Sequence, residues 1–391
     1  IIKAKTINQY SSCVSFYHNE GPDSMLEGFT LINGAGADIT YNYSYNSTGY
    51  SCQYPGGGIF CLDSSPTINR CMIRNNGGSE STGKKAYYGG GMALLGNCQA
   101  VISNCYIIDN FAYNSGSAIF IRSSVPALAT PTIRNCSITY NNTYWPMSTS
   151  ANHATLDCLN TQPIIQNAII SGNLYSSANY YGGEILLTDP ALISYSCIGG
   201  PVLTTLQAST TFDISSINGN ISVNPGFKQF GSGCIERAYN PGTGQWDCVE
   251  QVERDLHLRY DSPCRNAGDP GYSLGAGDRD IDGQSRIMGS RVDIGADEIA
   301  PVIIETYPAG GEVWAAGSEH EIRWITQDVI GTVDLAYSTD GGGSWQAIEV
   351  NAANLGSYLW TLPEEDSVNC LVAVTVSKPD PDPEIEYTQL A

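Results

Sequence analysis

PTINRCMIRNN, Pro66 to Asn76, decides the fold because it comes back. It returns as QAVISNCYIIDN, PTIRNCSITYN and QPIIQNAIISGN, and more loosely as PALISYSCIGG. Anchored on Cys71, Cys105, Cys136 and Ala168, the steps are 34, 31 and 32 residues. A period in this range marks a solenoid, whose units cannot bury their apolar faces alone and so stack on one another. Within each unit the apolar positions alternate, which predicts strands: Ile68, Cys71 and Ile73 recur as Ile102, Cys105 and Ile107, then as Ile133, Cys136 and Ile138.

A second strand precedes each of these: GGGIFCL (56–62), GGGMALL (89–95), GSAIFIR (116–122) and GGEILLT (182–188). Their leading glycines suit a tight corner of positive φ. Single-file recurrence of cysteine reads as a ladder of buried free thiols, continued by Ala168. Five residues after each ladder position stands Asn76, Asn110, Asn141 or Asn173. Stacked turn asparagines tolerate the left-handed region and bond amide to amide up the stack, a structural role. Cys234 and Cys248 flank a Gly/Pro/Asn-rich loop and are the expected disulfide, the alternative being two unpaired buried thiols.

SMLEGFTLING followed by GGGIFCLDSSPTINRCMIRNN resembles the secreted right-handed β-helix repeat proteins of environmental bacteria, in the pectate-lyase-like superfamily. NPGF (224–227), DLHLRYDSPCRNAGDPG (255–271) and DRDIDGQSRIMGSRVDIGADE (278–298) resemble the end pattern of such proteins. The resemblance covers roughly 1–299 and implies an all-β, right-handed parallel β-helix. Such families include polysaccharide lyases and hydrolases beside surface proteins of no known activity.

From Ala300 the composition shifts to alternating strands with four tryptophans, Trp314, Trp324, Trp345 and Trp360. Residues 300–391 resemble an Ig- or fibronectin-like β-sandwich, with those tryptophans as core and corner residues. The chain opens without a methionine and closes inside PDPDPEIEYTQLA, which reads as a leader removed and a sequence that continues.

The net charge of −21, from 39 acidic and 18 basic residues, repels phosphate backbones and excludes nucleic acid as a partner. No run reaches the ~20 apolar residues of a membrane span. The resemblance to secreted β-helix repeat proteins implies an extracellular or cell-surface setting.

The candidate chemistry is thin. A lyase needs a base beside concentrated positive charge, and a glycoside hydrolase needs paired carboxylates. The best constellation is Asp109, Arg122 and Arg134, with His153 nearby in sequence, and nothing in the spacing gathers them. Basic residues of the repeats fall at different positions: Arg74 stands where later units place Ile108, Thr139 and Ser171. Phe60, Ala93, Phe120 and Leu186 fall on the outward row of the preceding strand, an apolar stripe for binding or self-association unless a loop covers it. Asp278, Asp280 and Asp282 with Gly283 open like a calcium loop, but Gly289 stands where the bidentate Glu belongs, so calcium competes with a plain Asp-rich turn. His18, His257 and His320 form no metal-ligand pattern. The sequons at Asn42, Asn46, Asn135, Asn141 and Asn220 read as incidental to Asn-rich turns.

The sequence thus favours a non-catalytic structural or adhesive protein needing no cofactor, with itself, other surface proteins or polysaccharide as partners. The alternative is a polysaccharide lyase or epimerase acting on an acidic glycan.

Overall fold

One backbone angle explains how Ile68 and Cys71, three residues apart, both face the core. Arg70 has φ of 48°, and Asn104, Asn135, Asn167 and Tyr195 repeat that left-handed conformation at 54°, 51°, 51° and 47°. The stretch read as one alternating strand is therefore two, Thr67–Asn69 and Met72–Arg74, joined at a sharp corner. The computed structural model describes residues 1–4, 10–45, 48–78, 84–123, 129–144, 153–158, 161–176, 182–187, 192–203, 211–229, 234–240, 245–251, 254–275, 278–300, 302–327, 331–377 and 388–390.

Each coil contributes to three parallel sheets. In the order the chain meets them, the first holds Ile59–Leu62, Met92–Leu95, Ile119–Arg122, His153–Cys158 and Gly182–Leu187. The second holds Thr67–Asn69, Val101–Ser103, Thr132–Arg134 and Ile164–Gln166, and the third Thr30–Ile32, Met72–Arg74, Tyr106–Ile108, Ser137–Thr139 and Ile169–Ile170. Registers are in step from coil to coil, as in Ile68↔Ile102↔Ile133↔Ile165. Inside lies one continuous core of Ile, Leu, Met and Cys, with Cys71, Cys105, Cys136 and Ala168 fully buried and the three cysteines free. At Gly89, φ is 68°, and a Cβ on Gly90 would stand 2.1 Å from the Phe111 carbonyl, so the glycine corners are required by geometry.

The asparagine ladder is buried and polar throughout. Asn76 donates backbone and side-chain N–H to Asn110 Oδ1, both at 3.1 Å; Asn110 does the same to Asn141 Oδ1, and Asn141 to Asn173 Oδ1. The positive φ belongs to the residue before each rung: Asn75, Asp109, Tyr140 and Gly172. The asparagines are selected for their amides, and the preceding residue makes the bend. Of the sequons, Asn135, Asn141 and Asn220 are buried, which fits their reading as turn residues.

After the last coil the chain folds back over the outer face of the third sheet. Phe227, Leu256, Leu258, Cys264, Ile294, Ala296 and Ile299 pack on Tyr106, Ile108, Ile169 and Cys197. Gly295 donates to the Asn167 carbonyl at 2.8 Å, and Gln166 to Asp269 at 2.7 Å. Within the fold-back segment, Arg286 is completely buried, bonded to the carbonyls of Asp293 and Gly295 and paired with Glu298 at 3.1 Å. A hairpin of Cys234–Asn240 with Gln245–Gln251 sets Cys234 opposite Gln251 and Cys248 opposite Arg237. Both cysteine side chains, and so the expected disulfide, lie outside the described residues.

A separate compact unit comprises residues 288–290 and 300–391. It is an antiparallel sandwich of two sheets, one built from Val302–Tyr307, Glu319–Gln327 and Ser357–Thr361, the other around Thr332–Ser338. Trp324 is in its core and Trp360 flanks it, while Trp314 stacks on His320 and Trp345 is exposed. Among the described residues no helix is long and apolar enough to cross a membrane.

Candidate functional site

The residues picked out from sequence go to different places. Arg122 lies in the first sheet, Arg134 ends a strand of the second, and Asp109 turns the corner after the third. They thus fall on three different parts of the coils. Arg122 is buried and bonds Asp157 Oδ1 at 2.6 Å, with its guanidinium over the Phe120 ring at 4.3 Å. His153, in the strand of Asp157, is held neutral by burial, its pKa pushed down to about 4 against the pull of Asp157.

The expected binding stripe is also corrected. The true register runs Phe60↔Ala93↔Phe120↔Asp157↔Leu186, so a charged residue interrupts the row. The coil carrying Asp157 escaped notice because its strand, HATLDC, lacks the glycine-rich entry. Phe60, Phe120 and Leu186 are buried. The hairpin Thr40–Tyr45/Thr48–Gln53 supplies Tyr41, Tyr43 and Cys52 as a lid over Phe60, Ala93 and Phe120. Leu186 packs with Ala154 and Leu203. The stripe is interior, and self-association draws no support from it.

Nor do the three aspartates converge on calcium. Asp280 is fully buried and accepts from the backbone of Asp282, Gln284 and Glu298. Asp278 accepts from the Tyr272 hydroxyl and Gly275 N–H. Asp282 points elsewhere, to His257. This is a hydrogen-bonded turn.

What the sequence missed is a cleft of 660 Å³ where the fold-back segment stops short on the third sheet. Its floor is Thr30, Met72, Arg74, Tyr106 and Ile108 from successive coils; its walls include Arg70, Asp109, Arg254, His257 and Asp282. The repeat positions of the basic residues do differ, as expected, but they still share one space. Arg254 supplies the third guanidinium, pairing with Asp109 and lying 3.6 Å from the centre of the Tyr140 ring. Arg70 is held at 3.2 Å by Glu27.

At one end His257 stands between two carboxylates. Its Nδ1 contacts Asp255, and its Nε2 contacts Asp282 Oδ2 at 2.7 Å. The hydrogen bond to Asp282, acting against burial and reinforced by Asp255, lifts the imidazole pKa to about 9, so the ring is cationic at neutral pH. Asp282 is correspondingly held below the usual carboxylate range. Asp297, accepting from Leu258 N–H at 2.8 Å, is pushed up to about 7 by burial. The alternation of DLHL placed Asp255 and His257 on one side of a strand, the one signal available. That this strand lies across coils more than a hundred residues earlier follows from no periodicity.

The model of the right handed beta helix region matches residues 4–158. No curated protein and no solved structure matches the chain. With the match, and with parallel sheets that continue the same coils beyond it, the chain folds as a right-handed parallel β-helix followed by an antiparallel β-sandwich.

Proposed function

We propose that this is an extracellular or cell-surface adhesive protein whose β-helix binds a polysaccharide in the cleft over the third sheet. The observation carrying this reading is the meeting of Arg70, Arg74, Arg254, Asp109, Tyr106 and His257 around one opening. Guanidinium forks and carboxylates match the paired hydroxyls and acid groups of sugars, and the rigid stacked coils fix their spacing. The surrounding charge of −21 repels polyanions at a distance, so local contacts select the glycan. The 300–391 sandwich, Ig-like in its sequence pattern, serves as a spacer or second contact. Binding of the full chain to a panel of neutral and uronate-containing polysaccharides tests the proposal. Arg74→Ala and Met72→Glu should each weaken the best ligand about tenfold or more, with unchanged thermal melting. Failure to retain any polysaccharide, or undiminished affinity in both variants, overturns it.

A second reading, a lyase or epimerase, rests on His257 being held between Asp255 and Asp282 beside those arginines. Unsaturated products absorbing in the near ultraviolet, lost in His257→Gln, would favour it over simple binding.

A further inference from the structure

We propose that His257, Asp282 and Asp297 bind one divalent first-row transition cation at the end of the cleft, His257 through Nε2. One ligand atom from each lies within 4.8 Å of the others. Ligands of a tetrahedral site about 2.0–2.1 Å from the metal stand about 3.4 Å apart, so small rotations close the set. Asp282, exposed at the rim, has the freedom to make that movement.

Two features prepare the site. Asp255 holds Nδ1 of the imidazole, the carboxylate–histidine arrangement that fixes the ring and leaves Nε2 for a metal. The cation then takes the place of the Nε2 proton that otherwise bridges to Asp282. Independently, the Tyr106 hydroxyl is buried without a hydrogen-bond partner among the described residues, in a side chain only 5% exposed that lines the same cleft. The charges acting on it are, in order, Asp297, Asp282, Asp280 and Asp255. A buried phenol left unsatisfied is destabilising, and an ion in the cluster gives it a partner, directly or through a bound water.

The donor set selects the class of ion. Calcium takes six to eight oxygens, whereas one imidazole with two carboxylates suits zinc, cobalt or manganese. The site shares Asp282 with the aspartate turn but uses neither Asp278 nor Asp280 as a ligand. It stands whether or not a glycan enters the cleft, because its test uses the metal alone.

Cobalt(II) titrated into the full chain provides that test, read by d–d absorption and by the rise in melting temperature. One ion per chain should bind with nitrogen and oxygen colours and no thiolate charge-transfer band. His257→Gln and Asp297→Asn should each weaken binding more than about tenfold and abolish the rise, while Tyr106→Phe weakens it several-fold. Asp278→Asn and Cys370→Ser should leave both readouts unchanged. No binding, binding that survives His257→Gln, or a thiolate band lost in Cys370→Ser overturns the proposal.

Discussion

Asn173 donates its side-chain amide to Glu184 Oε2 at 2.6 Å, and its backbone N–H to Oε1 at 3.3 Å. The asparagine ladder therefore ends on a buried carboxylate. Every rung above sends its backbone N–H and an amide N–H to the next Oδ1, while its amide also donates back to the preceding coil, as Asn110 does to the Ile73 carbonyl, so the chain of rungs runs head to tail toward a terminal acceptor.

Removing a middle rung should be costly. Asn110→Leu leaves the backbone and amide N–H of Asn76 without an acceptor inside the coil, and the Ile73 carbonyl without its 2.8 Å donor. The expected loss is about 3 kcal/mol or more, against less than about 0.5 kcal/mol for Asn97→Ala at an exposed turn. Urea denaturation of the two variants decides it; similar midpoints would remove the ladder from the list of stabilising features.

His153 predicts a defined response to acid. Its folded pKa, about 4, lies below its usual 6.5. The unfolded chain then binds the proton more readily, so the stability is present above pH 6.5 and is lost as pH falls toward 4. The full loss is at most about 3 kcal/mol. His153→Gln should flatten that part of the stability profile, and parallel profiles for the two proteins would refute it.

The buried pair of Arg122 and Asp157, at 2.6 Å, should behave asymmetrically. Arg122→Met alone strands a buried carboxylate and is expected to cost about 3–5 kcal/mol. Arg122→Met with Asp157→Leu removes both charges and should recover most of that loss. A double variant no more stable than the single would show that Arg122 acts mainly through its bonds to the carbonyls of Ile121 and Asp157.

Phe120 separates an interior stripe from a binding stripe. It is fully buried, with Tyr88 and Tyr43 ring centres 4.8 and 6.5 Å away. Phe120→Ala should destabilise the protein by about 3–5 kcal/mol and leave glycan affinity untouched at low temperature. A stable variant that loses ligand would restore the stripe as a docking face.

The coils were legible because each unit repeats its inward residues, and Cys71, Cys105 and Cys136 give the register directly. What periodicity cannot carry is a relation made once. Tyr43 reaches Phe120 through a hairpin with no counterpart among the described residues of other coils, and Arg254 reaches Asp109 across 145 residues. The cleft consists of such single relations, which is why Asp109 was visible as a candidate while Arg254, His257 and Asp297 were not assigned to it. Alternation also overran its range: the left-handed residue at Arg70 turns one apparent strand into two faces.

Because each coil is bonded mainly to the coil before it and the coil after it, tension along the stack loads the interfaces in series. Every interface then bears the whole force, and strength is set by the weakest one rather than by their sum. The fold-back segment changes this locally. Where Gly295 and Gln166 tie it to the later coils, load gains a second path that bypasses the sheets. Coils bridged by such a tie should therefore yield after any that the repeat sheets alone hold together.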